Sequence, residues 1–234
     1  MVVERLDWDS DFFNFNVGKV VCSDDESFDA EAFLNSNRSF KLVYVFSKTK
    51  IDNSLLKLVD DKVVLGRSLD TNQSNENVDS IIIKSFDERI HSSDEIKKLA
   101  LESGEFSRFN IDGNFKNNEY ERLYTEWIEQ SINKKIAFEV LVAANKSKTI
   151  LGFITLNKKS DVLADIGLLA VSAASRGKGI ARKLLQHSFE IAERLGFKSI
   201  QVVTQFNNLP AMRLYQNAGF EIKERTFVYH YWNL

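Results

Sequence analysis

From Ile81 onward the apolar positions change period several times, and the changes mark out an ordered series of elements. Ile81-Ile82-Ile83 is a β-branched run and predicts a strand. Ser93 to Ser103 reads as a helix with Asp94 and Glu95 at its front, where the helix dipole favours negative charge. Glu119 to Ile132 predicts a second helix, with Leu123, Trp127 and Ile128 at helical spacing. Two strands follow, Ala137–Ala143 and Ile150–Leu156, joined by a Lys/Ser/Asn turn, and a third strand is Leu163–Val171. Ile180 to Leu195 is an amphipathic helix carrying Ile180, Leu184, Ile191 and Leu195 on one side, and Gly196 is its stop. Ser199–Thr204 predicts another strand, Pro210–Asn217 a short helix and Phe220–Trp232 a final strand pair. The order is therefore β-α-α-β-β-β-α-β-α-β(β), with no internal repeat.

The first eighty residues alternate short apolar runs with polar turns. Leu42–Phe46 and Val63–Leu65 read as strands within them. Asp70 to Asp79 is polar throughout and reads as an exposed linker. It sets an expected boundary between a smaller N-terminal α/β lobe, 1–78, and a larger domain, 79–234.

Composition narrows the class. Hydrophobic residues are 44% of the 234 and charged residues 27%, the balance of a soluble globular protein. Eighteen Phe against one Pro predict an aromatic interior. No apolar run reaches the roughly 18–20 residues of a membrane span. The opening stretch, MVVERLDWDSDFF, has no basic region followed by an apolar one, so it is not read as a signal peptide. A cytoplasmic protein with no membrane partner is expected. The lone Cys22 agrees with a reducing compartment and, following the apolar run Val17 to Val21, is assigned to packing. A formal net charge of -2 gives no reason to expect nucleic acid as a partner.

The sharpest local feature is Arg176-Gly177-Lys178-Gly179-Ile180-Ala181, between the strand Leu163–Val171 and the helix Ile180–Leu195. A strand running through glycines into a helix offers unpaired N–H groups and a positive dipole end to an anion. Gly177 and Gly179 let the backbone approach closely, and Ala181 keeps the next turn small. Arg176, Lys178, Arg182 and Lys183 surround the turn with positive charge. A pyrophosphate fits such a cradle, and neither GxGxxG nor GxxxxGK[ST] is present. The plainer alternative is a glycine turn before a basic helix start. One strand later, Asn208 and Pro210 open a helix that carries Tyr215 two turns in, four residues before Gly219. Alone, that segment reads as an ordinary amphipathic helix.

Together the two segments resemble the GNAT superfamily of N-acetyltransferases. Its pattern, Arg/Gln-x-x-Gly-x-Gly/Ala, a helix, a strand, then Asn-x-x-Ala-x-x-x-Tyr and Gly-Phe, is matched by Arg176 to Ala181, by Asn208, Ala211 and Tyr215, and by Gly219-Phe220. The resemblance implies a mixed, mostly antiparallel α/β sheet with a central splayed strand pair flanked by helices. The chain is similar, more narrowly, to the dTDP-fucosamine acetyltransferase branch. That similarity lies in Leu6-Asp7-Trp8-Asp9-Ser10-Asp11-Phe12-Phe13, in Ser103 to Phe109 and in Leu123 to Ile128. Members of that branch acetylate the amino group of dTDP-4-amino-4,6-dideoxygalactose during surface-polysaccharide synthesis.

The resemblance implies acetyl-CoA as co-substrate, no metal, and a cofactor lying between strands Leu163–Val171 and Ser199–Thr204. Its pyrophosphate would meet Arg176, Gly177, Lys178, Gly179, Ile180 and Ala181, and its pantetheine arm would pair with Leu169, Ala170 and Val171. Asn208 would hold that arm, and Tyr215 would give a proton to the departing sulfur. Arg108 is a candidate for the nucleotide phosphates and Trp8 for a sugar or base wall, each against a plainer role in surface pairing or packing. Asp165 is a candidate base against a plain exposed strand position, His187, His91 and His230 read as surface or packing residues, and no base is assigned. Other acceptors, among them another small amine or a protein N-terminus, remain open, as do a non-catalytic CoA-sensing module and a homodimer.

Overall fold

The computed structural model describes residues 2–22, 28–69 and 81–233. The chain forms two compact units, Met1–Val63 with Gln205–Asn207 and Glu224–Leu234, and Val64–Thr204 with Asn208–Lys223. The expected linker Asp70–Asp79 and the boundary at 78/79 lie outside the described residues.

The first unit holds β1 (Glu4–Arg5), α1 (Asp7–Phe13), β2 (Val17–Val21), α2 (Ala30–Ser36) and β3 (Leu42–Ser47). Also in it are Lys57–Val63 of β4 (Lys57–Ser68) and the distal part of β10 (Glu221–Trp232). β2 lies antiparallel to β1 and parallel to β3, and β3 pairs antiparallel with β10, Leu42 opposite Trp232 and Ser47 opposite Phe227. Two parallel neighbours need a crossover, and α2 supplies helix for it, with Asp29 Oδ1 accepting from the Ala32 N–H at 2.9 Å as a cap. Phe33 of that helix is fully buried among Val20, Val43, Val45, Phe227 and Tyr229. Cys22 packs at the edge of the same cluster.

The second unit holds β5 (Ile82–Ser85), α3 (Ser93–Ser103), α4 (Arg108–Ile111), α5 (Glu119–Ile132), β6 (Ala137–Ala144), β7 (Ile150–Lys158) and β8 (Leu163–Val171). After them come α6 (Ile180–Arg194), β9 (Ser199–Gln205, to Thr204 in this unit) and α7 (Leu209–Asn217). Its strands run in the order β9-β8-β7-β6-β5, antiparallel except for the β8–β9 pair. Ile96 and Leu99 of α3 and Ile128 of α5 bury against Val140, Val142, Phe153 and Ala170 on one sheet face. α6 covers the other face, since the position a Cβ of Gly152 would take is 3.3 Å from Ile180 Cγ2.

Phe220–Trp232 contains one strand rather than a pair, because Glu221 to Trp232 holds no Gly, Pro or Asn to turn the chain. The apolar triad Val63–Leu65 is the middle of a strand of 12 residues that continues through Asp60, Asp61 and Lys62 on one side and Gly66 and Arg67 on the other. Helices α1 and α2 are seven residues each, too short for apolar spacing to announce them.

Candidate functional site

The site begins where two strands part. β8 and β9 pair from Leu163 opposite Ser199 to Ile166 opposite Val202, and β8 continues to Val171 without β9. On its other side β8 stays paired, with Leu169, Ala170 and Val171 opposite Ile154, Phe153 and Gly152. Between these two stretches the β7–β8 register shifts. The hydroxyl of the buried Thr155 accepts from the Leu168 N–H at 2.9 Å, which closes the bulge. A bulge bends and twists its strand, and here it leaves one backbone edge of Leu169–Val171 to a cleft of about 560 Å3.

The far wall of the cleft is the turn that follows β8. After a 3-10 turn at Ala173–Ser175 come Gly177 and Gly179, with φ of 76° and 74°, the left-handed region that glycine occupies without strain. Gly179 is the N-cap of α6, which starts with no side-chain cap and no acidic residue in its first turn. The first N–H groups of a helix have no intrahelical acceptor, and these meet the cleft at Gly179, Ile180 and Ala181. Arg176 also lines it, its Nε donating to the Val171 carbonyl at 3.2 Å and its Nη2 lying 3.5 Å from Glu102 Oε2. Lys178 is not among the lining residues, and its Nζ donates to the Ala174 carbonyl at 3.0 Å.

The third wall is α7. Asn208 Oδ1 accepts from the Ala211 N–H at 3.3 Å, and Pro210 sits in the first turn. Asn208 and Tyr215 both line the cleft. The Tyr215 ring is 5% exposed and packs edge-on against Phe220, with centroids 5.5 Å apart. Burial pushes its phenol above the ordinary value, so the hydroxyl keeps its proton through neutral and mildly alkaline pH.

The structure therefore gathers Leu169, Ala170, Val171, Arg176, Gly177, Gly179, Ile180, Ala181, Asn208 and Tyr215 into one cleft. Arg108 is the first residue of α4, half-buried, with its guanidinium 4.7 Å from the Phe109 ring, and is not one of the lining residues. Trp8, in the first unit, is 51% exposed and stacks on Phe12 at 5.1 Å. Asp165 accepts from Gln201 Nε2 at 2.7 Å across the β8–β9 pair. His187 is tied to its own helix at the Lys183 carbonyl, and the buried His91 accepts from the Asp87 N–H through Nδ1. His230 stacks on Tyr44 in the first unit, centroids 5.0 Å apart. Sequence reading did not place Glu102, Glu105 and Phe106 in this cleft. The segment Ser103 to Phe109 stood out in the sequence, but nothing in it points to β8, which lies far along the chain. Among the described residues no three His, Cys, Asp or Glu side chains are grouped to hold a metal, and no helix is long and apolar enough to cross a membrane.

Gly152 is where the cleft meets the sheet. A Cβ there would sit 2.8 Å from the Ala170 carbonyl oxygen and 3.1 Å from Val171 Cγ2. Backbone cannot swing aside as a long side chain can. Gly152→Ala is expected to cost about 1–3 kcal/mol of stability, as overpacking does, by displacing Ala170. Thermal melting checks it, and an unchanged melting temperature would refute the close contact.

The chain has relatives among characterised proteins. It is 28% identical over 138 residues to the spore coat polysaccharide biosynthesis protein SpsD of Bacillus subtilis, covering 58% of this chain and 46% of that protein. It is 27% identical over 106 residues to the dTDP-fucosamine acetyltransferase of Escherichia coli O6:H1, covering 45% of each. The chain thus matches somewhat less than half the length of either relative. Among solved structures, a GCN5-related N-acetyltransferase from Sphaerobacter thermophilus superposes with a TM-score of 0.54 at 20% identity, over 86% of this chain and 63% of that one, a likeness of fold. Residues 103–220 match the Acetyltransferase (GNAT) family, a stretch that runs from the end of α3 through β8, the glycine turn and α7 to Phe220. The protein belongs to the GNAT acetyltransferase family.

Proposed function

We propose that this chain transfers an acetyl group from acetyl-CoA to the amino group of a nucleotide-linked amino sugar, dTDP-4-amino-4,6-dideoxygalactose, in surface-polysaccharide synthesis. The observation that carries the reading is the meeting, in one cleft, of an open strand edge, an uncapped helix start and a buried phenol. Each suits a different part of acetyl-CoA. The α6 N-terminus and Arg176 suit the pyrophosphate, through N–H donors, dipole and guanidinium. The unpaired edge of Leu169–Val171 suits the pantetheine amides, which pair as an added strand would. A backbone N–H near Ala170 then serves the thioester oxygen as negative charge develops on it, a donor typically worth about 3 kcal/mol in the transition state.

In the reaction the neutral amine attacks the thioester carbon. The new C–N bond forms, the C–S bond breaks, the amine loses a proton to solvent, and Tyr215 gives its proton to the sulfur. The phenol is then reprotonated from solvent. The choice of acceptor is supported by the similarity to dTDP-fucosamine acetyltransferase and SpsD. Arg108, in the second unit, is proposed for the phosphates of that acceptor.

Incubating the protein with acetyl-CoA and the dTDP-amino sugar, and following thiol release and acetylated product, tests the reading. Stoichiometric thiol and N-acetyl sugar nucleotide are expected. Acetylation of other amines with no turnover of the sugar nucleotide would discard the acceptor and keep the transferase. CoA binding without thiol release from any amine would discard catalysis.

A further inference from the structure

Arg67 lies on the part of β4 that belongs to the second unit and is only 7% exposed. Its side chain ends among α6, the end of α7 and the chain just beyond it. Nη1 donates to the carbonyl of Ala218, the residue that closes α7, at 2.5 Å, and Nε donates to the Ser68 carbonyl at 3.3 Å. The guanidinium carbon is 4.3 Å from the centroid of Phe189, a residue of α6. Glu193, one turn further along α6, adds an attractive charge.

A cation at this depth is costly to desolvate, and an apolar side chain would fill the space at less expense. What an apolar side chain cannot do is hold a helix by its last carbonyl. Helix C-termini carry unsatisfied carbonyls and partial negative charge, which a guanidinium fork satisfies directionally. The rings continue the connection: Phe220, two residues beyond Ala218, lies 5.9 Å from Phe189 and 5.5 Å from Tyr215. Tyr215 stands within one turn of the pinned carbonyl. Asn208 is at the other end of the helix, about 15 Å from Ala218 by the helical rise, and is held there by its own cap.

We propose that Arg67 is a positioning residue for the reaction: it pins the C-terminal end of α7 against α6 and so fixes where the Tyr215 hydroxyl meets the cleft. The proposal rests on Tyr215 as proton donor. Releasing the pin moves the near end of α7 more than the far end, so the chemistry suffers and the cofactor arm at Asn208 does not. Misplacing a reacting group by about 1 Å can cost around 100-fold, and partial release here is expected to cost about ten-fold in kcat.

The experiment compares wild type, Arg67→Met, Arg67→Lys, Tyr215→Phe and Arg67→Met/Tyr215→Phe for kcat, for acetyl-CoA affinity by calorimetry and for melting temperature. Arg67→Met should lower kcat about ten-fold with acetyl-CoA affinity unchanged. Arg67→Lys should fall between it and wild type, since an ammonium keeps the charge and loses the fork. On the Tyr215→Phe background, Arg67→Met should lower kcat no further, because residues acting through one group are not additive. Additive losses, an equal loss of CoA affinity, or a normal kcat in Arg67→Met would overturn the proposal. So would failure of both Arg67 variants to fold, which would make the residue purely structural. A normal kcat in Tyr215→Phe overturns the proton-donor reading and the proposal with it. A low kcat there beside an unaffected Arg67→Met overturns the proposal alone.

Discussion

Replacing Tyr215 by Phe should lower kcat by about 10²–10⁴-fold, the usual worth of a positioned general acid, and leave acetyl-CoA affinity almost unchanged. The ring stays, so its edge-on contact with Phe220 stays; only the proton is removed. Burial raises the phenol pKa, so the donor is intact at every pH at which such an enzyme is assayed, and kcat should not decline on the alkaline side through loss of this proton. The same shift has a consequence for stability. A phenol whose folded pKa lies above its unfolded value of about 10 contributes stability that is fully present below pH 10 and is lost as pH rises through the folded value. Tyr215→Phe should therefore soften alkaline unfolding above about pH 10 while it suppresses turnover at pH 7. Single-turnover thiol release and alkaline denaturation curves check the two halves. A Phe variant with near-normal kcat returns Tyr215 to packing.

Gly179→Val should weaken CoA binding by about ten-fold or more. At φ 74° a β-branched residue is strained, and the left-handed conformation costs an ordinary L-residue roughly 1–2 kcal/mol, which alone is about 5–30-fold in affinity if relief of the strain removes the cradle. No heavy atom lies within 4 Å of where the Cβ would stand. The side chain therefore meets no protein wall and projects into open space at the helix start, where a phosphate would have to approach the backbone N–H groups. Gly177→Ala, also at positive φ but without the branch, should do the same to a smaller degree. Isothermal titration with CoA measures both variants, and an unchanged dissociation constant in Gly179→Val would move the pyrophosphate elsewhere.

Much of the cleft's lining was legible because it comes from short contiguous segments. Glycines at a strand–helix junction and an Asn–Pro helix start are local devices, and the structure puts both on one cleft. Apart from the four-residue α4, which is too short to show an apolar period, the helices and strands from Ser93 to Asn217 were read to within a residue or two because each is long enough for that period to repeat. What could not be read depends on pairing between distant segments. Glu102, Glu105 and Phe106 face β8 only because α3 packs across it. Arg67 is one polar residue two positions beyond an apolar triad, and its burial is decided by residues more than a hundred positions away. Lys178 looks like a phosphate ligand by composition, but the left-handed glycines on either side of it accompany a side chain that turns back to Ala174. The single strand Glu221–Trp232 was read as two because it shows no one period: its first five residues are exposed and the next five are buried.

The pairing of β3 with β10 sets a timetable for the protein's birth. Leu42–Ser47 emerges from the ribosome about 180 residues before its partner Phe227–Trp232. At about 5–20 residues per second, one β3 edge stays without its partner for roughly 10–40 s, its N–H and C=O groups open to other nascent chains. Natural sheets shield such edges because bare ones aggregate. Leu42–Ser47 thus waits for residues made about 180 positions later, and a message cut short before Phe227 yields a first unit lacking one of its strands.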